Sequence, residues 1–366
     1  GAVETKVVAP VPWFPLKGER WGDYARMART PARETRNGID VLHPRFPLIP
    51  KVGMSAAPWL LALASVGPIQ RLIDEGFDFD VIDAHYYYPD GVAAAWLAKR
   101  FNKPLAITAR GTDLNLIPQY ALPRKMIHWA AQRADASIGV CAALMDVLRE
   151  WGIDERRLNV FRNGVDLQRF HPVPPAQARA TLKIEGGPVL LSVGHLIERK
   201  GHHLVVDAMP QVLKQHPQAR LFVIGEGEKR PRLEAQIRER GLQDRVTLTG
   251  AVPNEQLATW YSAADALVLA SSREGWANVL REGMACGAPV VATRIWGTPE
   301  VVADERVGRL VKERSGAAFA EAMAALVASR PDRAAVRRFA EGFSWDETSQ
   351  RQLDLFSFGQ ASNEWR

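Results

Sequence analysis

Ala266-Leu-Val-Leu-Ala270, Glu274-Gly-Trp-Ala-Asn-Val-Leu-Arg-Glu282 and Pro289-Val-Val-Ala-Thr293 follow one another closely, and together they decide how this chain folds. The first and last are short apolar runs with the character of buried parallel strands. Between them Ser271, Ser272 and Gly275 make a turn, and a helix is expected to start near Ala277. Gly287 and Pro289 are its stop signals. Glu274 then lies on the loop before the helix and Glu282 about one turn inside it. The amides of Asn278, Val279 and Leu280 are expected to be unpaired and to point outward at a positive helix terminus, which suits a phosphate. The two acids suit sugar hydroxyls, although acids near a helix start are also common there for electrostatic reasons alone.

Composition sets the frame. At 366 residues the chain has room for two ordinary domains. Charged residues at 24% and apolar residues at 47% describe a globular chain. No stretch reaches the roughly 18 consecutive apolar residues of a membrane span. Pro58–Ile69 is the nearest, and it reads as a short core helix broken by Gly67 and Pro68. Cys141 and Cys286 sit in separate apolar runs and make no metal-ligand spacing, as expected of reduced core thiols in a cytoplasmic protein. The net charge is +6 and the pI about 9.4. The basic residues are scattered, so nucleic acid is not the expected partner. A basic face on the anionic inner surface of the cell membrane, or a cleft for phosphates, accommodates the charge.

Strand and helix signals alternate along the whole sequence. Thr5–Pro10, Phe79–Asp83, Pro104–Thr108, Ala136–Val140 and Leu158–Phe161 read as strands of a first half. Pro188–Val193, Arg220–Ile224, Val246–Leu248, Ala266–Ala270 and Val290–Thr293 read as strands of a second. Helical stretches at Gly91–Phe101, Arg124–Ala134, His203–His216 and Arg230–Arg240 lie between them. The pattern predicts an α/β protein with two helix-covered parallel sheets. Asn163-Gly164 and His171-Pro-Val-Pro-Pro175 mark the break. The expected division is residues 1–172, residues 173–345, and a last segment, 346–366.

Ligands are expected at the carboxyl ends of such strands, and several loops with useful chemistry fall there. After the first strand of the second half comes Gly194-His-Leu-Ile-Glu-Arg199-Lys200-Gly201, whose adjacent Arg and Lys can clamp a diphosphate. Gly225-Glu-Gly227 follows the second strand and allows a tight turn without completing a dinucleotide fingerprint. The first half contributes Arg110-Gly111-Thr112-Asp113, and His85 followed by three tyrosines. A histidine in such company is more often a packed polar residue than a catalyst. Asp78-Phe-Asp80 resembles a metal-holding pair but leads into apolar Val81-Ile82, so it reads as a strand-entry turn; no catalytic metal is expected.

Taken together, these residues resemble retaining glycosyltransferases built from two Rossmann-like domains facing a cleft, the GT-B fold, and within them glycosyltransferase family 4. The likeness is carried by Ser192-Val-Gly194 with Arg199-Lys-Gly201, Gly250-Ala-Val-Pro253, Glu274-Gly275 through Glu282-Gly-Met-Ala-Cys-Gly-Ala-Pro-Val290, and Gly297-Thr-Pro-Glu300. Asn163-Gly-Val-Asp166 with Phe170 and Pro172 matches the family's domain join. Val8–Pro15 and His43-Pro-Arg45 are similar to members that build exopolysaccharide or lipopolysaccharide.

The resemblance implies transfer of a sugar from a nucleoside-diphosphate donor, uridine being the usual base, with retained configuration and without metal or other cofactor. The acceptor would be a glycan or a lipid-linked molecule. Glu282 would hold the ribose hydroxyls and Glu274 would face the donor sugar. Arg199 and Lys200 would neutralise the diphosphate, assisted by Gly194, Gly225, Gly275 and the Asn278–Leu280 amides, with Val252 beside the base. His85, Arg110, Gly111, Thr112 and Asp113 would lie on the acceptor side. Without a carboxylate placed to form a covalent intermediate, attack from the leaving-group face is expected, the phosphate helping to take the acceptor's proton.

The chain departs from the family at three places. Arg110 stands where the family often has His, and an arginine cannot act as a base, so anion binding replaces that role. His195 stands where an arginine is common. Gly1-Ala-Val-Glu-Thr-Lys-Val-Val8 resembles the family's second strand, so the first strand, its glycine loop and the first helix are expected to be missing, leaving a gap in the first sheet. That departure keeps open a nucleotide-sugar-binding scaffold, and a nucleotide-sugar epimerase of the same fold is a further alternative.

Overall fold

The computed structural model describes residues 3–14, 18, 22–47 and 54–357. Gly1, Ala2 and Pro15, and residues 358–366 of the expected last segment, lie outside them. The chain divides into two compact units. One comprises residues 1–139, 145–160 and 354–366, and the other residues 140–144 and 161–353. Residues 161–172, assigned by sequence to the first half, therefore belong to the second unit.

The first unit has strands β1 (Lys6–Val8), β2 (Val11–Trp13), β3 (Arg33–Arg36), β4 (Ile39–Leu42), β5 (Arg45–Pro47), β6 (Ile82–His85), β7 (Leu105–Ala109), β8 (Ala136–Gly139) and β9 (Leu158–Val160). Its helices are α1 (Asp23–Arg29), α2 (Ala57–Asp74), α3 (Val92–Phe101), α4 (Thr112–Asn115) and α5 (Ala121–Ala131), with most of α6 (Ala142–Glu150). Strands β6-β7-β8-β9 form a parallel sheet, and β7 is buried along its length, as a continuous apolar run in a parallel sheet must be. The expectation of one parallel sheet here needs correcting. β1, β4 and β3 make a separate sheet, and β2 pairs with β5. β3 and β4 are antiparallel because Asn37 and Gly38 both take positive φ, 50° and 81°, the signature of a tight hairpin turn. Among the described residues β6 has one partner strand, β7.

Pro58–Ile69 also differs from expectation. Helix α2 runs unbroken for 18 residues through Gly67 and Pro68. Leu61, Ala62, Ser65, Ile69 and Leu72 form its buried stripe, and this packing outweighs the backbone bond that proline removes. Among the described residues no helix is long and apolar enough to cross a membrane.

The second unit holds β10 (Val189–Val193), β11 (Arg220–Ile224), β12 (Val246–Gly250), β13 (Ala266–Leu269), β14 (Val290–Thr293) and β15 (Gly308–Val311). They form one parallel sheet in the order β12-β11-β10-β13-β14-β15. Its helices are α7 (Pro175–Leu182), α8 (His202–Gln215), α9 (Arg230–Glu239), α10 (Asn254–Ala263), α11 (Asn278–Ala285), α12 (Thr298–Val301), α13 (Gly316–Ser329), α14 (Arg333–Glu341) and the greater part of α15 (Trp345–Phe356). Leu190, Val205, Met209, Leu221, Val268 and Phe319 are buried in one core cluster; each such side chain contributes roughly 1.5–3 kcal/mol. The strand order reverses between β10 and β13, and at such a switch point the loops after the strands diverge and leave room for a ligand.

Asn163-Gly164 lies just past the boundary between residues 160 and 161 and is tied into the second unit. The Val165 amide donates to the Phe343 carbonyl at 3.1 Å. A β-carbon on Gly164 would lie 2.4 Å from the Trp345 backbone nitrogen, so the glycine is there for close approach.

Candidate active site

The carboxyl edge of the second sheet is opened by glycines. The Gly194 amide, just past β10, donates to the Ile224 carbonyl at 2.9 Å, and the Gly225 amide, just past β11, donates to the Gly250 carbonyl at 2.9 Å. Gly225 has φ +141°, and a β-carbon on it would stand 2.0 Å from the Gly194 carbonyl oxygen. The loops after β10, β11 and β12 thus leave the sheet in backbone contact. Val252 follows β12 half-exposed.

Above β10, the loop ending in Arg199-Lys200 meets the loop after β13. Lys200 Nζ donates to Glu274 Oε1 at 2.8 Å. Arg199 Nη1 donates to the Arg273 carbonyl at 2.8 Å and lies 3.4 Å from the same carboxylate oxygen. The Glu274 and Lys200 side chains are only 11% and 13% exposed, so their attraction is weakly screened. Residues 74 positions apart in sequence form one charged cluster of two cations and one carboxylate, with Gly275 buried beside it.

Glu274 leads into α11, which begins at Asn278 and puts Glu282 one turn inside, as expected. Glu282 Oε2 accepts a hydrogen bond from the Tyr261 hydroxyl at 2.9 Å. Burial pushes the Glu282 carboxyl above its ordinary range, against the Tyr261 bond and the nearby Arg281 charge, which favour ionisation. The expectation for the helix amides is corrected at one position. The Leu280 amide donates to the Ala277 carbonyl at 3.2 Å, closing the first turn tightly. Among the described residues the amides of Asn278 and Val279 make no such bond.

Sequence reading missed three residues here. Tyr261, on α10, has no local motif linking it to Glu282. Arg281 is 2% exposed, a burial that no motif in the sequence announces. His202, next to Gly201, is buried under the Arg199-Lys200 loop and bonds Ser192 Oγ through Nδ1 at 2.9 Å. Burial holds the His202 imidazole down to about 4, with Lys200 adding to the effect. The unfolded chain binds this proton near pH 6.5 while the folded chain does not, so stability is lost as pH falls from 6.5 towards 4. By pH 5 the loss from this group is roughly 2 kcal/mol. Urea unfolding of wild type and His202→Gln at pH 7.5 and pH 5 is expected to show a smaller pH effect in the variant; equal slopes would rule this out.

In the first unit, His85 ends β6 and is half-exposed rather than packed away, while Tyr87 and Tyr88 are buried. Its Nε2 faces Asp83 at 3.2 Å and its Nδ1 faces Arg110 Nη2 at 2.6 Å. Asp113 is fully buried and accepts from the amides of Tyr87, Arg110 and Gly111 at 2.9, 3.1 and 2.7 Å. Burial raises its carboxyl above the usual range and the backbone bonds oppose that rise. Asp113 therefore acts as the brace of the loop, and Thr112 opens α4. Arg110 is left exposed at the loop's tip.

Asp78 pairs with Lys103 at 2.6 Å on the turn before β6, as a strand-entry residue does. Among the described residues no group of three or more His, Cys, Asp or Glu side chains is arranged to hold a metal. Cys141 and Cys286 are free and buried, each thiol pushed up to about 12 by burial.

Residues 175–343 match the model of glycosyl transferases group 1, and residues 28–169 match Glycosyltransferase Family 4. A D-inositol 3-phosphate glycosyltransferase of Xylanimonas cellulosilytica is 32% identical over 359 residues, covering 90% of this chain and 84% of the relative. The chain belongs to glycosyltransferase family 4. A second family member with the same designation, from Segniliparus rotundus, is 34% identical over 81% of this chain and 70% of its own length. Among solved structures, sucrose-phosphate synthase from Thermosynechococcus elongatus superposes with a TM-score of 0.77 at 25% identity, covering 91% of this chain and 87% of that one. HepE of Anabaena, solved with UDP-glucose, has a TM-score of 0.63 at 20% identity, covering 83% and 85%, and shares the fold. The family 4 enzyme is thus a glycosyltransferase with GT-B neighbours.

Proposed function

We propose that this enzyme transfers a sugar from a uridine-diphosphate donor, with retained configuration and without a metal, to a glycan or lipid-linked acceptor of envelope polysaccharide. The observation that carries this reading is the cluster of Lys200, Arg199 and Glu274 ahead of the two unpaired amides of α11. Charge builds on the β-phosphate as the donor bond breaks; two cations and a helix N-terminus are the groups that stabilise it. Glu274 faces the sugar carbon, where positive charge develops. Glu282, oriented by Tyr261, takes the ribose hydroxyls. The acceptor's proton passes to a phosphate oxygen of the departing diphosphate.

A second reading of the acceptor is favoured by the relatives' designation as D-inositol 3-phosphate glycosyltransferases. A phosphorylated polyol would meet Arg110, whose guanidinium is exposed and steadied by His85. A thermal-shift series of nucleoside diphosphates and their sugars tests the donor. The expected result is a uridine-selective rise in melting temperature that disappears in Glu282→Ala; no shift with any nucleotide would overturn the reading.

A further inference from the structure

Arg281 is unusual in its surroundings. It is 2% exposed on α11, where its neighbour Glu282 bonds Tyr261 instead of it. Arg281 Nη1 donates to the Asn163 carbonyl at 2.6 Å and also to the Gly164 carbonyl. Nη2 donates to Asn278 Oδ1. The Trp276 ring lies 5.3 Å from the guanidinium and itself donates to the Asn163 carbonyl at 3.1 Å. The buried Nε has no hydrogen-bond partner among the described residues. Among the described residues every hydrogen-bond partner of this guanidinium is a carbonyl oxygen; none is a carboxylate.

A buried charge whose hydrogen bonds all go to dipoles is costly, and the neighbouring Glu282 charge offsets only part of that cost. Burial lowers the guanidinium to about 10, which still leaves it protonated at neutral pH. A long side chain on a helix points back towards the N-terminus, and the bond to Asn278 puts this charge under the first turn of α11. The same bond has a second effect. Asn278 carries a side-chain oxygen that competes readily for nearby backbone amides, and Arg281 occupies it. The Asn278 and Val279 amides are thereby kept for an incoming anion, and the anion meets a buried charge behind them.

Building on the donor reading above, we infer that Arg281 is a positioning residue for the donor's diphosphate, acting through Asn278 and the segment Asn163-Gly164 without touching the reacting atoms. The test is calorimetric titration of the full chain with UDP and, separately, with uridine, which lacks the phosphates. In Arg281→Met, which keeps bulk and removes charge, the Kd for UDP is expected to rise about tenfold or more while that for uridine changes less than about twofold. Arg281→Lys keeps the charge but loses the fork to the two carbonyls, and is expected to weaken UDP by about threefold. If Arg281→Met does not fold, the UDP-to-uridine ratio of Arg281→Lys decides. A ratio equal to wild type in the folded variant, or an equal loss of UDP and uridine, would mean that Arg281 only fills the core. Failure of wild type to bind UDP would instead sink the donor reading itself.

Discussion

Glu274→Gln is expected to lower kcat for sugar transfer by about 10²–10³ while leaving UDP affinity unchanged or slightly tighter. The two halves of this result have separate causes. In the proposed mechanism, loss of the carboxylate removes the negative charge facing the sugar carbon as it becomes cationic, an interaction made chiefly in the transition state. The same carboxylate holds Lys200 at 2.8 Å and Arg199 at 3.4 Å, so neutralising it leaves both cations freer to meet a diphosphate. The amide keeps an acceptor for Lys200, so the fold is expected to survive. Steady-state kinetics with UDP titration on the same preparation separates the effects. A variant with wild-type kcat, or with UDP binding lost, would show that Glu274 has another role.

Gly225→Ala is expected to destabilise the second unit by more than about 3 kcal/mol, lowering its Tm by roughly 10 °C. The residue stands at φ +141°, a conformation that an alanine adopts only with strain, and its β-carbon would press on a backbone carbonyl at 2.0 Å. No side-chain rotation relieves that contact. Relief requires the loops after β10 and β11 to part, which moves Gly194 and the start of the Arg199-Lys200 loop. Loss of nucleotide binding should therefore accompany the fall in Tm. Differential scanning calorimetry measures the first, and an unchanged Tm would contradict the close approach of the two loops.

The second unit was legible in sequence because its signals are local. Apolar runs mark β10, β11, β13 and β14, glycines mark the strand ends, and Glu274 and Glu282 lie eight positions apart on one turn-and-helix. What could not be read were contacts between distant segments. The bonds Tyr261 to Glu282 and Arg281 to Asn163 join residues on separate elements, and no spacing announces them. Leu280 was misjudged because the tightness of a helix's first turn depends on the backbone, and its amide goes to Ala277. In the first half the antiparallel pair β3–β4 was signalled by Asn37-Gly38 and passed over, since the surrounding alternation favoured parallel strands. The continuity of α2 through Pro68 is a packing outcome that local propensity argues against. His85 is followed by three tyrosines, company in which a packed role is the commoner one, yet its ring lies half-exposed between Asp83 and Arg110.

We propose that the second unit activates a nucleoside-diphosphate sugar for retaining, metal-free transfer. This activity is tested most directly by incubating the full chain with α-linked UDP-sugars in excess EDTA and following the anomeric proton by NMR from the first minutes. Release of UDP with the α-anomer as the first-formed product is predicted. A β-anomer appearing first, or no UDP release from any donor, would contradict it.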